Sequence, residues 1–141
     1  MMPKIKSKKH VKSCWLSTTR LVSKPWGEER CWAGVAGVDG KILYMKKGHR
    51  NSLKYNHLKD ECLLVLEGEV EVEYGDELSL VDSVMHPFKK SVISFGECFN
   101  IQSGCPYRIL ALTDSQVIEI GTAGGPTNSS FVRIEDDYGR E

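Results

Sequence analysis

No stretch of the sequence is apolar over enough residues to cross a bilayer; its longest unbroken apolar run is Cys62 to Leu66. Neither sign of charge is in excess, because 19 Lys plus Arg balance 19 Asp plus Glu. That balance removes the global field a nucleic-acid or anionic-membrane partner would use. The five cysteines, Cys14, Cys31, Cys62, Cys98 and Cys105, are odd in number and form no C-x-x-C pair. Neither a zinc knuckle nor a disulfide framework follows, and the reading taken is of reduced thiols in the cytoplasm. Acidic residues are absent from positions 1–20, which carry six basic ones. No apolar stretch with a small-residue cleavage pattern follows them, so they are not a secretory signal. Histidine is scarce, and His10, His49 and His86 show no spacing suited to a catalytic triad or a metal cluster.

Helical periodicity is almost absent too. What stands in its place is a series of short β-rich runs cut by turn residues. Cys31 to Val38 leads into Asp39-Gly40, a two-residue hairpin signal, and Lys41 to Met45 resumes as a strand. Lys47-Gly48-His49 reads as another turn. Cys62 to Leu66 stops at Glu67-Gly68, and Glu69 to Tyr74 then alternates strictly between a wet and a buried face. Further strands are expected at Ser91–Phe95, Tyr107–Leu112 and Gln116–Ile120, with a loop over Thr122–Ser130. At 141 residues the chain is long enough for one buried core. The organisation expected is a basic, partly ordered arm at 1–20 and a single all-β domain, sandwich or barrel, at 21–141.

Two spacings narrow this. Gly48, Lys54, Asn56, Glu61 and Gly68 resemble the first motif of the cupins, and Gly96, Gln102, Gly104, Tyr107 and Ala111 resemble the second. Lys24-Pro25-Trp26-Gly27, Gly48 to Leu53 and Val132 to Arg140 are similar to the type II mannose-6-phosphate isomerases, a cupin domain also found fused to mannose-1-phosphate guanylyltransferase. The resemblance implies a double-stranded β-helix, the cupin jelly-roll barrel, with a pocket in its mouth. It further implies a homodimer and a small, sugar-derived ligand.

The same resemblance implies a divalent metal, and here the sequence departs from the pattern. Lys54 and Asn56 stand at the first two ligand positions and Tyr107 at the last; only Glu61 keeps a customary donor. A protonated lysine has no lone pair, and a tyrosine would have to lose its phenolic proton. His57 could join Glu61 as a ligand, but alternation along a strand aims it away from the face shared by Arg50, Ser52, Lys54 and Asn56. The expectation is therefore no metal and no other cofactor.

Arg50, Lys54, Asn56, Glu61 and Tyr107 remain as the ligand-binding set expected on the inward face. Lys54 either neutralises Glu61 in a repaired metal site or joins Arg50 in gripping a phosphate or carboxylate. Three functions follow. One is a metal-free barrel binding a sugar phosphate or nucleotide sugar. Another is an aldose–ketose isomerase with Lys54, Glu61 and Tyr107 as catalytic groups, Lys54 stabilising an enediolate. The last is a non-catalytic dimerisation scaffold. Trp26 is expected to plug the barrel end, Trp15 and Trp32 to pack, and Cys62 to be a core residue. Arg133 and Glu135-Asp136-Asp137 are expected at the surface or a subunit contact.

Overall fold

A computed structural model of the chain describes residues 11–122 and 131–140. It has eleven strands and, among the described residues, no helix. They are β1 (Arg20–Lys24), β2 (Gly27–Trp32), β3 (Val38–Met45), β4 (Leu53–Asn56), β5 (Glu61–Glu67) and β6 (Glu69–Tyr74). After them come β7 (Lys89–Ser94), β8 (Cys98–Ile101), β9 (Tyr107–Ala111), β10 (Ser115–Thr122) and β11 (Phe131–Glu135). One sheet runs in the order β1-β2-β3-β10-β5-β8, the other β11-β4-β9-β6-β7, and every pairing is antiparallel. Consecutive strands repeatedly cross between the sheets, as in a jelly roll.

Side-chain alternation builds the core. Val70 and Val72 of β6, Leu63 and Val65 of β5, Val117 of β10 and Ile109 and Ala111 of β9 are completely buried between the sheets. These β-branched and aliphatic residues stand on the inward phase of their strands, and the strict alternation of Glu69 to Tyr74 is seen as expected. Trp26 is 3% exposed and joins the core from the β1–β2 turn. That turn requires glycine at position 27, where φ is +148° and an added Cβ would fall 1.9 Å from the Tyr44 carbonyl oxygen.

Three expectations need correction. Asp39-Gly40 is not a turn: both lie inside β3, and the reversal is made by residues 33–37, with left-handed backbone at Ala33 (φ 92°) and Gly37 (φ 91°). Gly40 is glycine for another reason, since a Cβ there would lie 2.7 Å from the indole ring of Trp32. Trp15, expected to pack, is 60% exposed in residues 11–19, which have no regular structure. Cys62 is half-buried on an outward position rather than in the core. Glu135 and Asp137 are exposed at the surface, as expected, and Arg108, 2% exposed, reaches them at 3.4 and 3.6 Å and clamps the segment after β11 onto β9. Of the expected 122–130 loop, only its first residue, the end of β10, is among the described ones. No helix of the described residues is long and apolar enough to cross a membrane.

Candidate functional site

Charged residues occupy inward positions that alternation would ordinarily give to aliphatics. Glu29 of β2, Lys41 of β3, Glu61 of β5 and Glu119 of β10 share the phase of Leu43, Leu63, Val65 and Val117 on their own strands or neighbours. Register brings them together. Glu119 stands directly opposite Lys41, and Gly121, two residues on, stands opposite Glu61. From the facing sheet come Lys54 of β4 and Tyr107 of β9, which are direct partners. A layer of acids, lysines and one tyrosine thus crosses the barrel above the aliphatic core.

The contacts within this layer are specific. Lys41 Nζ lies 3.1 Å from Glu29 Oε1. The Tyr107 hydroxyl donates to Glu119 Oε1 at 3.1 Å. Lys54 Nζ lies 4.3 Å from the centroid of the Tyr107 ring, a cation–π contact, and it is buried without any hydrogen-bond partner. Burial pushes Lys54 down to about 8, against the pull of Glu119 and Glu61. Burial, reinforced by the charge of Glu119, pushes Glu61 up to about 7. Burial and the two neighbouring carboxylates hold the Tyr107 phenol well above its ordinary value. In contrast, against the opposing effect of burial, Lys41 is raised by the charges of Glu119 and Glu29 together, and Glu29 is lowered by Lys41 with help from Lys24 and Cys31.

Over this layer opens a cavity of about 590 Å³, within the range that holds small-molecule ligands. Seven cationic side chains line it, Arg20, Lys24, Lys41, Lys54, Lys59, Arg133 and Arg140, against four acidic ones, Glu29, Asp39, Glu61 and Glu119. Lys59 is paired with Asp39, and Arg140 is fixed by Asp136 at 2.8 Å. That contact holds the Asp136 carboxyl down at about 2. Arg133 stands directly across from Lys54 on β11, with its Nε 3.4 Å from Ser52 Oγ. Trp32 also lines the cavity, and its indole N–H is the other buried donor without a partner.

Lys54, Asn56 and Glu61 are therefore at the cavity wall, as expected, and Tyr107 lies directly beneath it. Arg50 is not with them. Its guanidinium grips Asp137 through Nε at 2.5 Å and Nη2 at 2.7 Å, on the outside of the barrel. The reason is local: β4 begins only at Leu53, so the alternation assumed from Arg50 to Asn56 breaks at Asn51 and Ser52. Those two residues line the cavity instead, and Asn51 holds Ile109 N through its Oδ1 at 2.7 Å. Glu29, Lys41, Glu119 and Arg133 were not anticipated as site residues. The first three carried a signal, a charge on the buried phase of an alternating strand.

The residues present do not fit a divalent metal. Lys54 offers an ammonium rather than a lone pair near neutral pH. The Oδ1 of Asn56 already accepts the Leu58 and Lys59 amides at 3.1 and 3.0 Å. Tyr107 spends its hydroxyl proton on Glu119. His57 is exposed and stacks edge-on against Tyr55, ring centroids 5.0 Å apart, so it does not join Glu61. Among the described residues no group of three or more His, Cys, Asp or Glu gathers as a metal cage.

The sequence matches no protein-family model and no curated protein. Solved structures do match. KdgF from Halomonas sp. superposes with a TM-score of 0.61 at 18% identity, over 75% of this chain and 87% of its own. Bacillus subtilis oxalate decarboxylase at pH 4.6 gives 0.68 at 17% identity, over 82% of this chain and 30% of its own. CapF, in complex with the inhibitor 3-isopropenyl-tropolone, gives 0.68 at 16% identity, over 86% of this chain and 36% of its own. This chain thus spans only about a third of the length of the last two. At such identities the likeness carries the fold. That shared fold, with its two antiparallel sheets and interior cavity, is the double-stranded β-helix of the cupins.

Proposed function

We propose that this barrel is a small-molecule-binding cupin of the type II mannose-6-phosphate isomerase kind, taking a sugar phosphate or nucleotide sugar without a metal. The observation that carries the reading is the charge of the cavity: with Arg140 neutralised by Asp136, six cationic side chains still face four acidic ones, above an ammonium with no hydrogen-bond partner. An anionic ligand offsets that imbalance. Arg133 supplies a planar fork suited to phosphate, and Lys54 a point charge behind it. Asn51, Ser52 and Glu61 offer the alternating donors and acceptors that sugar hydroxyls need, and Trp32 an aromatic edge with one spare N–H. Lys54 fills the position a metal takes in other cupins and partly neutralises Glu61 and Glu119. A homodimer and a cytoplasmic setting complete the reading, on the strength of the motif resemblance.

The test is a thermal-shift panel of sugar phosphates, nucleotide sugars, unphosphorylated sugars and small carboxylic acids. A ligand present at a hundred times its Kd adds about 2.7 kcal/mol to stability. The reading expects stabilisation by phosphorylated sugars or nucleotide sugars and none by the neutral sugars. Stabilisation by no member of the panel contradicts it, as does a response confined to neutral sugars.

A further inference from the structure

Away from the cavity, the outer face of the first sheet carries two thiols on neighbouring strands. Leu63 of β5 and Ile101 of β8 point into the core, so Cys62, Cys98 and Asn100 point out. The register sets Cys62 opposite Asn100 and Leu64 opposite Cys98, which makes the two cysteines diagonal neighbours on one face. Cys98 Sγ donates to Asn100 Oδ1 at 3.7 Å, and burial together with the neighbouring Cys98 pushes the Cys62 thiol up. Both are free, Cys98 exposed and Cys62 half-buried. β8 is a four-residue edge strand bonded to β5 alone. The backbone approach that a diagonal disulfide requires is therefore asked of a strand restrained on one side only.

We infer that Cys62 and Cys98 form a thiol–disulfide exchange site, closed by a small disulfide of the glutathione class. The exposed Cys98 attacks first as its thiolate, breaking the S–S bond of glutathione disulfide and releasing one glutathione. Cys62 then attacks the Cys98 sulfur of the mixed disulfide and releases the second. Two protein S–H bonds are lost and one S–S bond forms; the protein is oxidised by two electrons, and both protons leave on the released glutathiones or in solvent. The order is built into the pair. The Cys62 thiol is pushed up by burial and by the charge of Cys98, and forming the mixed disulfide removes that charge. The resolving thiol thus ionises more readily once the first step is done. The product staples the edge strand to β5 beside Glu61, which lines the cavity.

The test is intact-mass analysis of the reduced full chain after incubation with glutathione disulfide at mildly alkaline pH, followed by peptide mapping without reductant. The expected product has lost two hydrogens, with the Cys62 and Cys98 peptides linked and released again by dithiothreitol. The Cys98→Ser variant is expected to carry no such link, and Cys62→Ser to stop at a glutathione adduct on Cys98. Separate adducts on both cysteines of the unmodified chain, a link through Cys14, Cys31 or Cys105, or no reaction at all overturns the inference. Because no sugar ligand is involved, the outcome is independent of the function proposed for the cavity.

Discussion

Lys54 on β4 and Tyr107 on β9 stand directly opposite each other, and the lysine ammonium lies 4.3 Å from the centre of the tyrosine ring. In a metal-holding cupin these positions would supply two of the ligands. Here they form a cation–π pair flanked by Glu61 and Glu119. On the function proposed above, the lysine carries the charge that a metal would otherwise bring.

The first consequence concerns metals. Protein purified without chelator is expected to contain far less than one equivalent of zinc, manganese, iron, cobalt, nickel or copper by atomic emission. Its thermal midpoint is expected not to change with EDTA, because no stability rests on metal binding to the folded state. About one equivalent of any of these ions, or a midpoint that falls on chelation, contradicts the assignment of Lys54 to the cation position.

The second concerns pH. Glu61 ionises near 7 in the folded chain and near 4.5 when unfolded. The neutral carboxyl is thus the form the fold favours. Its contribution to stability is complete below pH 4.5 and is withdrawn as pH rises to 7. Lys54 behaves in the opposite sense: lowered to about 8 from 10.5, it contributes fully above pH 10.5, and that contribution is lost as pH falls through 8. Denaturant unfolding of the unmodified chain and of Glu61→Gln at pH 5 and pH 7 checks the first part. The loss of stability between the two pH values is expected to be smaller in the variant. An equal or larger loss in Glu61→Gln shows that other groups carry the slope.

The third separates the outside of the barrel from its cavity. Arg50 and Asp137 are each about 40% exposed, so Arg50→Ala is expected to lower stability by less than about 1 kcal/mol and to leave ligand affinity unchanged. Arg108 is buried and donates to the Asn51 carbonyl at 3.1 and 3.2 Å. Arg108→Met strands that acceptor and releases the segment after β11, so a loss of about 2 kcal/mol is expected from denaturant unfolding. If Arg50→Ala weakens ligand binding while Arg108→Met is silent, the placement of Arg50 outside the site is wrong.

Much of this was visible in the chain before it was folded. The alternation of Glu69 to Tyr74, the stop at Gly68 (φ 83°) and the two motif spacings led to the barrel. Local signals failed where tertiary packing overrode them. Asp39-Gly40 has the composition of a hairpin turn, but Gly40 is needed beneath the Trp32 ring and the chain reverses earlier. Strict alternation back from Asn56 would place Arg50 inside, but the strand does not continue through Asn51 and Ser52. Glu119 shares the buried phase of its neighbours Val117 and Gly121, and a carboxylate in that phase is a local conflict that points to a site. Arg133 and Arg140 carried no such signal, because only the pairing of β11 with β4 and the contact with Asp136 bring them to the cavity.

The most direct test of the central claim is calorimetric titration of mannose 6-phosphate into the unmodified protein and into Lys54→Met. Methionine keeps the chain length and removes the charge, and replacing a buried ammonium by an apolar side chain does not by itself threaten the fold. The account predicts saturable binding to the unmodified protein and an affinity at least about tenfold lower in the variant, the range expected for one charge-assisted hydrogen bond. Equal affinity in the two proteins, or binding to neither, contradicts it.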